Sequence, residues 1–166
     1  EGVRCMITER GYCEFGFFGV ADDLPPGPRR FHGFLRALHE FGLTFDQRSY
    51  VEGDFTLEGG ADAARALLRS GVLPRALFAC NDLMAIGAIL TLQEAGVQVP
   101  DQVAVMGFDD IPEARIIRPM LTTIAQDPRD IGLKLANTLF ERLDNPTITQ
   151  TRTFESERKL VVRDSA

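Results

Sequence analysis

The sequence of 166 residues contains no apolar run near the roughly 20 residues that a helix needs to cross a bilayer. It opens on Glu-Gly-Val-Arg without a basic segment and apolar stretch behind it, and so shows no secretory signal. Lacking an initiator Met, it is expected to be a mature form or a piece of a longer chain. It has only three cysteines, Cys5, Cys13 and Cys80, an odd number without metal-type spacing. They fit free thiols in a reducing compartment better than a disulfide framework, and the cytoplasm is the expected location. Nor is there an excess of positive charge: 18 Lys and Arg stand against 24 Asp and Glu, a net charge of −6. Nucleic-acid modules draw much of their affinity from a basic face on phosphates, so this chain by itself is not expected to hold DNA or RNA. The phosphate-cradling, dinucleotide and nucleophile-elbow motifs (Walker A, G-x-G-x-x-G, G-x-S-x-G) are absent, as are internal repeats and low-complexity tracts.

What remains is a chain with 45% hydrophobic and 25% charged residues, enough to bury a core. Helical spacing runs over 1–10, 29–41, 58–70, 82–95 and 129–143. Gly11, Gly42, Gly71 and Gly96 follow four of these helices, where the chain must turn through a left-handed conformation. Between them lie short strands at 14–19, 49–53, 75–79 and 102–107. The last two are nearly continuous apolar runs, expected of strands covered on both faces of a parallel sheet. Pro74 and Pro100 precede them, where a missing N–H does least harm. Beyond Gly107 come a loop at 108–120, a strand at 121–125, and strand candidates at 150–154 and 158–163. Segment 22–28 has the composition of a hinge. The order predicts an open α/β fold with a doubly wound parallel sheet.

Ligands of such sheets bind beyond the carboxyl ends of the strands. Asp54 and Phe55 follow the 49–53 strand, Asn81 and Asp82 follow 75–79, and Phe108, Asp109 and Asp110 follow 102–107. Arg29 and Arg30 open the 29–41 helix. Carboxylates accept from hydroxyls, an amide both donates and accepts, and a guanidinium offers a fork of donors. With a ring to cover an apolar face, the set suits a small polyhydroxylated ligand. Asp54 and Asn81 carry a second reading as N-caps. Asp109 and Asp110, as strand neighbours, point to opposite sides; Asp109 is expected to face the cleft and Asp110 to tie the loop. Gly59-Gly60 admits either an anion at a helix start or close packing. His32 and His39 share a helical face without further ligands, so no metal is expected, and Cys80 is read as a small buried hydrophobe. No nucleophile–base–orienter set emerges, so neither catalysis nor a cofactor is expected.

The segments Arg30-Phe31-His32-Gly33-Phe34, Val51-Glu52-Gly53-Asp54-Phe55-Thr56, Phe78 to Gly87, Val105 to Ile111 and Pro119 to Ile124 occur in an order and spacing that resembles the effector-binding domain of the lactose-repressor/galactose-repressor family of bacterial transcription regulators. The resemblance runs from about Gly2 to Ser165. It implies a two-lobed fold like a type I periplasmic sugar-binding protein, with the effector held between lobes. Arg30 would then grip the ligand's polar edge, Phe55 would stack on it, Asn81 and Asp109 would bond its hydroxyls or ring nitrogens, and Gln126 would line the wall. Pro128 stands shortly after it, where many relatives carry an aromatic residue, so this chain departs from the family's pattern in that part of the wall. The resemblance places residues 1–24 and 126–148 in the first lobe and 27–123 and 150–166 in a nearly complete second lobe. The helix-turn-helix headpiece through which such regulators reach DNA has no counterpart here. A homodimer is implied, with the 82–95 helix and the 111–118 loop at its interface and Ile86, Leu90, Ile116 and Ile117 exposed on it. A transport or chemoreceptor sugar-binding protein of the same fold, and a sugar- or nucleotide-processing enzyme, are the competing readings.

Overall fold

The computed structural model describes all 166 residues. In chain order the elements are α1 (Gly2–Arg10), β1 (Phe15–Val20), α2 (Gly27–Glu40), β2 (Tyr50–Gly53), α3 (Leu57–Ser70), β3 (Ala76–Ala79), α4 (Asp82–Glu94), β4 (Ala104–Asp109), β5 (Thr122–Gln126), α5 (Pro128–Asp144) and β6 (Arg158–Val161). One six-stranded sheet runs in the order β2-β1-β3-β4-β5-β6. All pairings are parallel except β5 with β6, which is antiparallel. No helix is long and apolar enough to cross a membrane.

Successive strand residues point to opposite faces, and both faces are covered. Phe15, Phe17, Phe78, Met106 and Phe108 join Val3 and Met6 of α1 and Phe34 and Leu38 of α2 in one core layer. Phe18, Val20, Leu77, Ala79 and Val105 join α3 and α4 in the other. This explains the unbroken apolar sequences of β1 and β3. Gly11, Gly42, Gly71 and Gly96 all adopt positive φ, from 67° to 81°, in the left-handed region where glycine carries no Cβ penalty.

The Gly59-Gly60 pair resolves toward packing. A Cβ on Gly60 would lie 2.2 Å from the Met84 carbonyl oxygen, and one on Gly87 would lie 2.0 Å from that of Leu57. The two glycines let α3 and α4 cross in near backbone contact. That crossing fixes where α4 begins and hence where Asn81 sits.

Three expectations need correction. Residues 1–24 are not set apart from the 27–123 segment: β1 lies between β2 and β3, and α1 packs over the same sheet. Parallel pairing with strands distant in sequence decided this. Residues 150–154 form no strand; they are exposed, and the antiparallel place beside β5 is taken by β6. Ile86 is buried in the α3/α4 layer rather than exposed, and Ile117 packs against that layer, whereas Leu90 and Ile116 are exposed.

The helix α5 stands apart from both layers. None of its 17 residues is buried, and Leu133, Leu135, Leu139, Phe140 and Leu143 are all more than half exposed. Its N-terminus is well made: Asp127 accepts from the N–H groups of Arg129 and Asp130, and Pro128 takes the first helical position, where a missing donor is harmless.

Candidate functional site

The parallel strands end along one edge of the sheet, and the backbone there is strained. Phe55, Asp109 and Asp110 adopt φ of 67°, 119° and 56°, values costing a non-glycine residue about 1–3 kcal/mol. They are the only non-glycine residues with positive φ, and all three follow or close a strand. Side-chain bonds hold them there.

Arg30, on the first turn of α2, reaches across the strand ends. Its guanidinium donates to the carbonyl oxygen of Cys80 and, at 3.1 Å, to Asp109 Oδ1. It also lies over the Phe108 ring, 3.9 Å from the centroid, within cation–π range. Gln126 Nε2 donates to the same Asp109 Oδ1 at 2.6 Å. Arg30, Asp109 and Gln126 therefore meet, with Phe108 as their platform. The ion pair is partly shielded, with the two side chains 11% and 29% exposed, so part of the carboxylate remains open to solvent. Strand β4 runs on through Asp109, which places Phe108 and Asp109 on the sheet's rim instead of in a following loop.

Asn81 and Phe55 form a second group. Asn81 Oδ1 accepts from Met84 N–H and caps α4, while its Nδ2 donates to the Phe55 carbonyl at 2.8 Å. The capping reading of Asn81 thus holds, and the amide also pins the left-handed Phe55. Asp54 is not a cap. It accepts from Thr56 N–H and Oγ1, and Thr56 caps α3 through Gly59 N–H. The Phe55 side chain is half-buried against the α3/α4 layer. The two groups are joined through Arg30, which bonds the carbonyl of the residue before Asn81.

The remaining carboxylates brace the edge. Asp82 is fully buried and accepts from Thr123 Oγ1 and Ile111 N–H. Burial pushes its carboxyl up, against the lowering pull of those two bonds. Asp110 accepts from Arg115 and from Arg163, a residue more than 50 positions away in sequence. Nothing local in the sequence signals that partner. Ser165 extends the brace: its hydroxyl donates to Val105 O and accepts from Thr122 N–H, closing the seam between β4 and β5. Cys80 is buried and its thiol is pushed up to about 11 by desolvation, which leaves it protonated and unreactive. His32 and His39 are exposed.

Burial alone would raise the Asp110 carboxyl, but the bonds from Arg163 and Arg115 outweigh it and hold the group below the usual range. A carboxyl lowered on folding stabilises at pH values above its unfolded pKa of about 3.9 and loses this as pH falls through the folded value. Asp110→Asn is expected to cost about 1–3 kcal/mol at pH 7. In urea unfolding the gap from the parent should close as the pH drops below about 4. A gap that stays constant down to pH 2 would contradict this assignment.

Beside the Arg30 group lies a cavity of about 410 Å³. Phe34, Phe78 and Phe108 line its apolar side, and Arg29, Arg30, Gln126 and Arg158 lie on its polar side.

Residues 6–166 match the family model described as a periplasmic binding protein-like domain. The chain is 37% identical over 160 residues to the HTH-type transcriptional repressor PurR of Actinobacillus pleuropneumoniae serotype 3 (strain JL03), covering 96% of this chain and 48% of that protein. Among solved structures it is similar to a transcriptional regulator CelR–cellobiose complex, with a TM-score of 0.92 and 32% identity over 99% of this chain and 50% of that one. It is also similar to a sugar-binding transcriptional regulator of the LacI family from Escherichia coli complexed with phosphate, with a TM-score of 0.87 and 34% identity over 99% and 58% of the two chains. The chain thus spans about half the length of the curated relatives it matches.

Proposed function

Since this chain belongs to the periplasmic binding protein-like domain family and corresponds to the effector domain of LacI-type regulators, we propose that it is the sensor of a bacterial transcription regulator that binds a small polyhydroxylated effector. Arg30, Asp109 and Gln126 grip the ligand's polar groups, and Phe55 supplies the aromatic wall that Asn81 holds in place. The observation that carries this reading is the meeting of Arg30, Asp109 and Gln126 at the strand ends, with a half-open carboxylate fixed by strained backbone. A sugar or related ligand suits these donors and acceptors, in keeping with the cellobiose of the similar regulator complex.

The parent protein on this reading is a cytoplasmic homodimer that reaches DNA through a separate helix-turn-helix. Effector binding changes the relation of two lobes, and the coupling between ligand and DNA is a free-energy difference of about 1–3 kcal/mol between lobe arrangements. Residues 126–148 belong to the other lobe, and the bare apolar face of α5 is the surface that lobe covers. Leu90 and Ile116 contribute to the dimer contact. The protein binds its ligand without turning it over.

A thermal-shift screen of pentoses, hexoses, disaccharides and nucleosides tests the reading. One chemical class should raise the melting temperature in a saturable way, and the ligand should be recovered unchanged after prolonged incubation. Conversion of the ligand to product would instead favour the enzyme reading.

A further inference from the structure

The cavity beside Arg30 carries a charge that is out of keeping with the rest of the chain. The protein has six more acidic than basic side chains, yet four arginines, Arg29, Arg30, Arg36 and Arg158, line this one cavity against a single acidic residue, Glu1. Arg30 is engaged by Asp109 and the Cys80 carbonyl. Arg36 lies 4.0 Å from Glu40. Arg29 and Arg158 make no side-chain hydrogen bond or ion pair with the protein. Their positions are set by regular structure: Arg29 precedes Arg30 on α2, and Arg158 pairs in register with Gln126 across the β5–β6 ladder. Two uncommitted forks of donors thus flank the Arg30–Asp109–Gln126 group, while Phe34, Phe78 and Phe108 line the cavity's apolar side.

We infer that the site takes an anionic small molecule, whose polyhydroxylated or ring portion lies at Arg30, Asp109 and Gln126 and whose phosphate or carboxylate is held by Arg29 and Arg158. This rests on the sensor reading above and narrows it to a charged ligand class. A cavity of about 410 Å³ falls in the size range of small-molecule sites, and it excludes a folded partner as occupant. The planar guanidinium fork matches the paired oxygens of carboxylate and phosphate. The charge of Asp109 is already met by Arg30, and Asp109 is not among the residues that line the cavity.

Calorimetric titration of the purified chain with glucose, glucose 6-phosphate, gluconate, adenosine, adenosine monophosphate and inorganic phosphate tests the inference. At least one anionic compound should bind tenfold or more tightly than its neutral counterpart, and raising the salt concentration should shrink that margin. The double variant Arg29→Gln/Arg158→Gln should erase it; both residues are exposed, so the fold should survive. Preference for the phosphate or for gluconate identifies which anion the arginines serve. Equal affinities within each pair, or a margin that persists in the double variant or at high salt, would overturn the anionic class while leaving the sensor reading intact if a neutral sugar still binds. Absence of binding by all six, in a chain that binds a neutral compound from the thermal-shift screen, would overturn the anionic class and leave the sensor reading intact.

Discussion

Asp109→Asn is expected to weaken effector binding at least a hundredfold, whatever compound the thermal-shift screen selects. Asp109 Oδ1 accepts from both Arg30 and Gln126. An asparagine would turn one of its two ends into a donor, remove the charge facing the guanidinium and leave the ligand with an acceptor of half the capacity. Hydrogen bonds to charged groups contribute about 1.5–3 kcal/mol each, and a hundredfold change in affinity corresponds to about 2.8 kcal/mol. Loss of one or two such bonds accounts for the size of the effect. Gln126→Ala, which deletes one neutral donor and leaves the Arg30–Asp109 pair, should cost about tenfold. Calorimetry on variants whose unliganded melting temperature matches the parent reads both values. Less than a threefold loss in Asp109→Asn would remove that residue from the site.

The largest change in stability is expected for Phe17→Ala. Phe17 is fully buried, with ring centroids of Phe31, Phe34, Phe78 and Tyr50 at 4.8, 5.0, 5.6 and 6.2 Å. Truncating a phenylalanine in such a setting removes its transfer free energy and leaves a void that rigid neighbouring rings cannot fill, at a cost of about 3–5 kcal/mol. Leu139→Asp on α5 provides the contrast. That side chain is 57% exposed, and its replacement should change stability by no more than about 0.5 kcal/mol. Urea unfolding of the two variants at neutral pH measures both. A cost for Leu139→Asp approaching that for Phe17→Ala would mean that α5 is covered in solution.

Much of this architecture was legible from the order of residues. The four glycines expected after helices are the four that turn left-handed, because no other residue meets that geometry at so low a cost. Nearly continuous apolar runs in β3 and β4 announced a sheet covered on both sides. The division of labour between Asp109, turned to Arg30 and Gln126, and Asp110, tied to Arg163 and Arg115, was expected from strand alternation, but it arises where the strand ends and both residues take positive φ. What escaped had a common cause in contacts that are remote along the chain. The central place of β1 depends on strands 30 to 60 positions away, so a family-based assignment of residues 1–24 to another lobe could not be checked locally. The 150–154 segment has residues suited to a strand, but the place beside β5 goes to β6. Asn81 reads equally well as a ligand contact or a cap; only the fold shows its two ends engaged by Met84 and Phe55.

The left-handed backbone of Phe55, Asp109 and Asp110 has a consequence for anyone seeking a hardier version of this protein. Because each of these residues is kept in a conformation it would not choose, replacement by glycine would relieve that strain, but at Asp109 and Asp110 it would also delete the carboxylate that the neighbouring side chains bond. The same substitutions would blunt recognition, since these residues and their braces shape the strand ends. Robustness and sensitivity are therefore opposed at this edge of the sheet, and stabilising changes that spare the sensor belong elsewhere on its surface.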